Sequence, residues 1–149
     1  MLRKSYLNFE KFIHFGDCDE AGVIHFYQIF KWCHEFWELS LLKSGIQIKD
    51  VFPCAENKTP LNGIILPIVN CKANYLAPIR FGDNLNVNLI PDIIDINSFQ
   101  IKTEFHHKDI KVAEGIIKHC AINSISRKKE MIPNIIIGWL DGSILDKMS

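Results

Sequence analysis

One long apolar helix, predicted from about residue 26 to Lys43, constrains the fold of this chain more than any other feature. Its apolar and small side chains recur at spacings of three and four residues, the pattern of a helix with one buried face. Trp32, Leu39 and Leu42 widen the apolar arc, so a large element must wrap this helix, and Gly45 predicts its end. The buried-face positions are Phe26, Ile29, Phe30, Cys33, Phe36, Trp37, Ser40 and Leu41.

Strand patterns dominate the rest of the chain. Residues 5–15 alternate well enough for a strand, and residues 46–63 read as an irregular connection with room for one helical turn. A short apolar run at 135–140 is expected to pack as a final turn. Between these, four further strands are predicted at about 65–76, 84–94, 98–107 and 111–124, separated by residues typical of turns.

Length and charge bound the classes of protein that this chain can be. Its 149 residues are enough for one domain with a real core, assigned to residues 1–149. The 17 basic and 17 acidic residues cancel, which argues against a nucleic-acid partner. No apolar run reaches membrane-spanning length, and charges interrupt residues 1–12, where a signal peptide would need an apolar core.

Five cysteines without a C-x-x-C pair make a disulfide framework or a zinc site an unfavourable interpretation. A reducing cytoplasm is the expected location. His106 and His107 would point to opposite faces of a strand, and neither they nor His119 with Cys120 follow a recognised ligand spacing, so we expect no metal site.

Chemistry is concentrated in residues 15–26, an acidic loop that leads directly into the long helix. The free N–H groups of a first helical turn favour an anion or a developing oxyanion, and a nearby Asp can act as a base or a nucleophile. This pairing suits acyl transfer. From the residues alone, capping of the helix or bracing of the loop is the favoured role of Asp19. Asp17 is expected to shape the loop through hydrogen bonds from its side chain to the backbone.

The loop resembles the active-site loop of the 4-hydroxybenzoyl-CoA thioesterase branch of the hotdog fold, since residues 17–24 read Asp-Cys-Asp-Glu-Ala-Gly-Val-Ile. Residues 66–75, with Ala77-Pro78 and Phe81-Gly82-Asp83, look like the second strand and following turn of that family. The run 119–122, followed by basic residues and Pro133, is similar to one subgroup, the 1,4-dihydroxy-2-naphthoyl-CoA hydrolases. This resemblance implies an α+β hotdog fold, in which a curved five-stranded antiparallel sheet wraps a long central helix.

The same resemblance implies roles for individual residues. Asp19 occupies the position of the catalytic carboxylate, and Phe26 the position whose backbone N–H holds the thioester carbonyl oxygen. Gly22 is expected to allow a backbone conformation that a β-carbon would hinder. His25 replaces an aromatic residue found nearby in relatives and is placed at the substrate, although a histidine at the surface or at the pocket edge is the simpler interpretation.

Coenzyme A phosphates need cationic partners, and the candidates are Arg80, Arg127, Lys128 and Lys129. Glu35 and Glu38 are interpreted as a solvated helix face, because the loop matches the branch that uses Asp rather than a helical Glu. The predicted function is hydrolysis of an aromatic acyl-CoA, foremost 1,4-dihydroxy-2-naphthoyl-CoA in phylloquinone or menaquinone synthesis, without a cofactor. Phe26, Phe30 and Trp32 are placed near the loop as an aryl pocket.

Three alternatives remain open: a 4-hydroxybenzoyl-CoA or broad acyl-CoA thioesterase, a non-catalytic acyl-CoA-binding module on the same fold, and a hotdog dehydratase. The last is disfavoured because its histidine-based pattern is not evident in the loop or the helix. Sheet edges and part of the helix surface stay uncovered in one chain, so we expect a homodimer with a continuous sheet. The resemblance implies that two such dimers pair into a homotetramer.

Overall fold

The computed structural model describes residues 5–142, and in this part of the chain five antiparallel strands form one sheet around a long helix. Short 3₁₀ turns at residues 5–7, 15–17, 48–50 and 60–63 join the main elements. In chain order these elements are β1 (Asn8–Phe12), α1 (Gln28–Lys43), β2 (Ile64–Ile65), β3 (Ile68–Tyr75), β4 (Asn84–Ile93), β5 (Ser98–His107), β6 (Ile110–Cys120), β7 (Ile122–Asn123) and α2 (Asn134–Asp141).

The strand order across the large sheet is β1-β4-β5-β6-β3, so β1 and β3 form its two edges. Side chains alternate between the two faces, and the inner face carries the core. Phe105 on β5, for example, lies opposite Val87 on β4 and Ala113 on β6, and all three are buried. α1 packs across this inner face against β6, β5 and β3, which is the hotdog arrangement expected from the sequence.

Gly115 on β6 marks the closest approach between α1 and the sheet. A β-carbon at this position would lie 2.5 Å from Cys33 Sγ and 3.1 Å from Ile29 Cγ2, both on α1. The first distance is shorter than real Cβ contacts, so a side chain at residue 115 would force Cys33 or the helix to shift, and glycine lets α1 lie close to the sheet. The sequence at this position therefore holds α1 close to the sheet.

The predicted elements agree with the structure except at several boundaries. β5 has the predicted bounds, and α1 begins two residues later than expected and ends at Lys43 as predicted. The first strand is shorter than residues 5–15, because 3₁₀ turns occupy both of its ends. The predicted strand at 65–76 is divided at Pro67, which has no N–H to give to a ladder, and the strand at 111–124 is divided at Ala121.

The predicted final turn is a two-turn helix, α2, that closes one end of the core. Trp139 is buried there and its indole N–H donates to Ser40 Oγ at 3.0 Å, while Ser40 donates to the Tyr6 carbonyl at 2.6 Å. These bonds join α2, α1 and the first turn of the chain. The ends of the predicted domain, residues 1–4 and 143–149, lie outside the described residues.

Candidate active site

The acidic loop folds into a tight hairpin around Asp19. The Asp19 N–H donates to the Val23 carbonyl at 2.8 Å, and the Gly22 N–H donates to the Asp19 carbonyl at 3.0 Å. The Asp19 carboxylate accepts the Ala21 N–H through Oδ1 at 2.8 Å. Gly22 has φ +80, a conformation that side chains with a β-carbon rarely adopt, so glycine closes the turn without strain. The turn fixes one carboxylate oxygen, and within residues 5–142 no hydrogen bond engages the other, Oδ2.

Neighbouring contacts anchor this hairpin to the domain. The Ile24 N–H donates to the Ile79 carbonyl at 3.0 Å, and the His25 N–H donates to the Asp17 carbonyl at 3.0 Å. The Asp17 carboxylate accepts the His14 N–H at 2.9 Å and lies 3.7 Å from Lys11 Nζ. Asp17 therefore shapes the loop, as predicted, and its carboxylate is engaged in that task.

The start of α1 is open. No acidic side chain lies in its first turn, and Tyr27 at the N-cap position makes no side-chain capping bond. Within residues 5–142, the backbone N–H of Phe26 donates to no protein acceptor. The partial positive charge of the helix terminus is therefore not neutralised by a side chain of its own first turn, and an oxyanion is the kind of group that it favours.

Asp19 and Phe26 line one cavity of about 510 Å³. Its first wall is the acidic loop and the start of the helix. The second wall is the chain that leaves β3, which the Leu76 N–H ties to the Val112 carbonyl on β6 at 2.9 Å. A carboxylate, a free N–H and an apolar cleft thus meet in one place. The lining residues are Asp19, Val23, Ile24, Phe26, Tyr75, Leu76, Ala77, Pro78 and Ile79.

The aromatic side chains expected in the pocket have different places. Trp32 is buried in the core, with its ring centroid 6.1 Å from that of Phe105 and the Lys11 ammonium 5.1 Å from its ring. Neither Trp32 nor Phe30 lines the cavity. His25 stacks on Tyr27 at 5.4 Å, outside the cavity lining. The helix periodicity identified Trp32 as a buried residue, and burial in this case means core.

The cavity's second wall was missed by sequence reasoning, which interpreted Ala77-Pro78 only as a turn. The available signal was a tyrosine at the end of a strand followed by a rigid apolar turn, residues 75–79. Such a segment cannot pair onward in a sheet, and it presents side chains to whatever lies beyond the strand end.

The basic candidates lie at two separate places. Arg80 is exposed and directly follows Ile79 of the cavity wall, with its backbone N–H bonded to Asp83 Oδ2 at 2.9 Å. The other three, Arg127, Lys128 and Lys129, are exposed in the turn after β7, beside β2. These two places lie at opposite ends of β3, whose eight residues span about 23 Å at ~3.3 Å per residue.

The helical carboxylates lie away from the cavity. Glu35 is exposed and its Oε1 lies 3.8 Å from Lys31 Nζ, whereas Glu38 pairs with His34 at 3.2 Å. His106 and His107 have different acidic neighbours, Glu104 and Asp83 respectively. Among residues 5–142, no three His, Cys, Asp or Glu side chains are placed to hold a metal ion.

Two buried titratable groups, Cys33 on α1 and His119 on β6, do not line the cavity. Burial raises the pKa of the Cys33 thiol to about 12. Burial also lowers the pKa of His119 to about 4, and the charge of His34 lowers it further. A hydrogen bond with the Leu66 carbonyl acts in the opposite direction. Both groups stay uncharged at neutral pH and belong to the core.

Known proteins resemble this chain over nearly its whole length. A 1,4-dihydroxy-2-naphthoyl-CoA hydrolase of Prochlorococcus marinus subsp. pastoris (strain CCMP1986 / NIES-2087 / MED4) is 42% identical over 143 residues, which are 96% of this chain and 94% of the relative. A protein of the same name from Synechococcus sp. (strain WH7803) is 39% identical, with 97% and 95% covered.

Solved structures agree with the fold. A crystal structure of a protein from Prochlorococcus marinus str. MIT 9313 superposes with a TM-score of 0.88 at 39% identity, covering 93% of this chain and 96% of the other. A 1,4-dihydroxy-2-naphthoyl-CoA thioesterase from Synechocystis gives 0.80 at 24% identity, covering 91% and 95%, which supports the fold alone. Residues 13–140 match the family described as the thioesterase-like superfamily, and the chain belongs to that family.

Proposed function

We propose that this protein hydrolyses 1,4-dihydroxy-2-naphthoyl-CoA to the free acid and coenzyme A, a step of phylloquinone or menaquinone biosynthesis. The observation that carries the proposal is the cavity in which the Asp19 carboxylate and the open start of α1 share an apolar cleft of about 510 Å³. Membership of the thioesterase-like superfamily supports the reaction, and the names of relatives about 40% identical support the acyl group.

In the proposed mechanism, the thioester carbonyl lies between Asp19 and the start of α1. Asp19 either attacks the carbonyl carbon, giving an anhydride that water then cleaves, or removes a proton from an attacking water. The Phe26 N–H stabilises the oxyanion of the tetrahedral intermediate, and the carbon–sulfur bond breaks to release coenzyme A as a thiolate. Gly22 holds the loop conformation on which this arrangement depends. No metal or redox cofactor takes part.

Coenzyme A itself is proposed to lie along the exposed side of the cavity. Arg80 follows the cavity wall and is the candidate in the same subunit for a phosphate partner. The basic turn at Arg127, Lys128 and Lys129 lies at the other end of β3 from this cavity. A second subunit is proposed to bring such a turn closer. His25 stacks on Tyr27 and does not line the cavity, and it is proposed to touch the thioester or the pantetheine arm of the substrate.

The second subunit is proposed to pair through β3. This edge is eight residues long and half-exposed at Ile68 and Val69, whereas the opposite edge, β1, has five residues and carries Glu10 and Lys11. A long exposed edge strand, even with Asn70, Lys72 and Asn74 among its residues, offers unpaired backbone groups to a second strand. Antiparallel pairing of two β3 strands about a two-fold axis makes one continuous sheet and places the basic turn of each subunit toward the cavity of the other.

We propose that such homodimers pair again into a homotetramer. Sedimentation at micromolar concentration should therefore show no stable monomer, and a Val69→Lys change on the β3 edge should weaken the dimer. A monomeric wild-type protein with full activity would contradict this assembly.

No helix in residues 5–142 is both long and apolar enough to cross a membrane. We propose a cytoplasmic location.

Thiol release from a panel of acyl-CoA thioesters tests the proposed function. The expected order of kcat/KM is 1,4-dihydroxy-2-naphthoyl-CoA first, 4-hydroxybenzoyl-CoA second and palmitoyl-CoA last, because a flat apolar cleft suits an aryl ring. A higher value for palmitoyl-CoA would replace the aryl substrate with an aliphatic one. Binding of acyl-CoA without any thiol release would identify the protein as the non-catalytic binding module.

A further inference from the structure

We propose that the Tyr75 hydroxyl recognises a hydroxyl group on the substrate's aromatic ring, so that this tyrosine makes the enzyme prefer hydroxylated aryl thioesters over bare ones. This inference rests on the proposed function. It concerns a specificity-determining residue in the second wall of the cavity. The observations that support it are the polarity of the cavity lining, the anchoring of Tyr75 and its exposure.

The cavity contains very little polar side-chain chemistry. Of the nine residues that line it, only Asp19 and Tyr75 carry a polar side-chain group, and the other seven have hydrocarbon side chains. Asp19 is committed to the reacting carbonyl in the proposed mechanism. If a side chain of this subunit is to recognise a polar substituent on the ring, the Tyr75 hydroxyl is the group that remains.

The backbone around Tyr75 is fixed by the sheet. Tyr75 pairs with Ala113 on β6, and both Leu76 and Ala77 donate their N–H groups to the Val112 carbonyl, at 2.9 and 3.1 Å. A tyrosine side chain has only two rotatable bonds before its hydroxyl. The hydroxyl therefore has few positions, and holding it at a substrate group costs little conformational entropy.

The state of the hydroxyl suits recognition. Tyr75 is 45% exposed, and among residues 5–142 no hydrogen-bond partner holds its oxygen. Partial burial, with a smaller contribution from Cys33, raises the pKa of Tyr75 above its ordinary value. The hydroxyl thus keeps its proton over the working pH range, and it can donate to a ring oxygen or accept from a ring hydroxyl.

A hydroxyl in an apolar cleft discriminates in a defined way. With a hydroxylated ring, both polar groups are satisfied. With a bare ring, the tyrosine loses its water and gains no partner. Removing the tyrosine oxygen should therefore slow the hydroxylated substrate selectively and leave the bare substrate almost unchanged.

The test compares Tyr75→Phe with the wild-type protein on matched pairs of thioesters that differ only in ring hydroxyls. The pairs are 1,4-dihydroxy-2-naphthoyl-CoA with 2-naphthoyl-CoA, and 4-hydroxybenzoyl-CoA with benzoyl-CoA. We expect kcat/KM for at least one hydroxylated member to fall at least about tenfold in Tyr75→Phe, and that for its bare partner to stay within about twofold.

Tyr27→Phe is the matched control, because it removes the same atom from a half-exposed tyrosine that does not line the cavity. It should leave unchanged, for each pair, the ratio of kcat/KM between the hydroxylated thioester and its bare partner. Equal losses on both members of each pair, or no loss on either, would overturn the role of Tyr75. Absence of thiol release from every aryl thioester by the wild-type protein would instead overturn the proposed function.

Discussion

The two ends of α1 are built in opposite ways. At its C-terminal end, Ser40 is fully buried with both a donor and an acceptor bond, and Ser44 Oγ donates to the Leu41 carbonyl at 2.7 Å. At its N-terminal end, the N-cap residue makes no side-chain capping bond and the Phe26 N–H has no protein acceptor among the described residues. One helix thus serves as a satisfied core element at one end and keeps free hydrogen-bonding capacity at the other.

This contrast separates stability from chemistry along a single element. A satisfied polar group buried beside α2 stabilises the domain, because leaving it unpaired would cost about 1–3 kcal/mol. An uncapped helix start sacrifices about 1 kcal/mol of helix stability and keeps a site for a developing negative charge. Substitutions at the cavity end should therefore change turnover, and substitutions under the middle and the C-terminal half of α1 should change folding.

The largest expected effect follows from Asp19→Asn. The amide oxygen can still accept the Ala21 N–H, so the hairpin and the thermal midpoint should be preserved. Loss of the carboxylate should reduce kcat by at least about 100-fold, or ~2.7 kcal/mol of barrier, as expected for removal of one catalytic acid–base group. Thiol release and thermal unfolding measure the two quantities on the same preparation.

Glu35→Gln is the control for this prediction. It makes the same carboxylate-to-amide change at an exposed position of α1, where the only ionic contact among the described residues is with Lys31. Its turnover should stay within about twofold of the wild type. If Glu35→Gln lost activity while Asp19→Asn kept it, the catalytic carboxylate would lie on the helix and not in the loop.

The second prediction concerns the middle of α1. Gly115→Ala should lower the free energy of unfolding by roughly 1–3 kcal/mol, since the new methyl group would lie 2.5 Å from Cys33 Sγ. Adding Cys33→Ala removes that sulfur, so the double variant should lose less stability than the two single variants together. Urea unfolding of the wild type, the two single variants and the double variant, all at one fixed protein concentration, measures this difference, because the proposed dimer would make stability depend on concentration. Simple additivity would mean that the two residues do not crowd each other.

The same contrast explains what the sequence could predict. The 3.6-residue periodicity identified α1 because one face is buried along its whole length, and turn residues gave both bounds of β5. Periodicity could not distinguish Trp32 in the core from Phe26 at the cavity, since both lie on the apolar arc. Resemblance to a family, and not residue spacing, selected Asp19 as the candidate carboxylate.

The cavity's second wall could not be predicted in the same way. Tyr75 lines the same cavity as Asp19 because β3 lies beside α1 and the Ile24 N–H reaches the Ile79 carbonyl, a contact across 55 residues of sequence. Local sequence patterns do not indicate which residues far apart in the chain come together in the fold. The split of the predicted strand at Pro67 was in principle readable, because proline lacks the donor that a continuous ladder needs.

The smallest expected effect is a pH dependence of the free energy of unfolding that comes from His119, which packs against Trp37 of α1. His119 is 1% exposed, its Nδ1–H donates to the Leu66 carbonyl at 3.0 Å, and its ring stacks on Phe99. Its pKa is about 4 in the folded protein, against 6.5 for an ordinary histidine, so between these values the unfolded chain binds a proton that the folded chain does not. Stability therefore falls as the pH is lowered from 7 to 5, by roughly 2 kcal/mol from this residue alone.

His119→Gln keeps a side-chain donor for Leu66 and cannot titrate, which makes it the variant to compare. Its free energy of unfolding should fall less than that of the wild type between pH 7 and pH 5, even if its stability at pH 7 is lower. His34, whose ring centroid lies 6.2 Å from that of His119, pairs with Glu38, and both side chains are present in either protein. If the free energy of unfolding fell equally with pH in the two proteins, His119 would be taking up its proton without unfolding. The surroundings of His119 would then be more open to water than its buried contacts indicate.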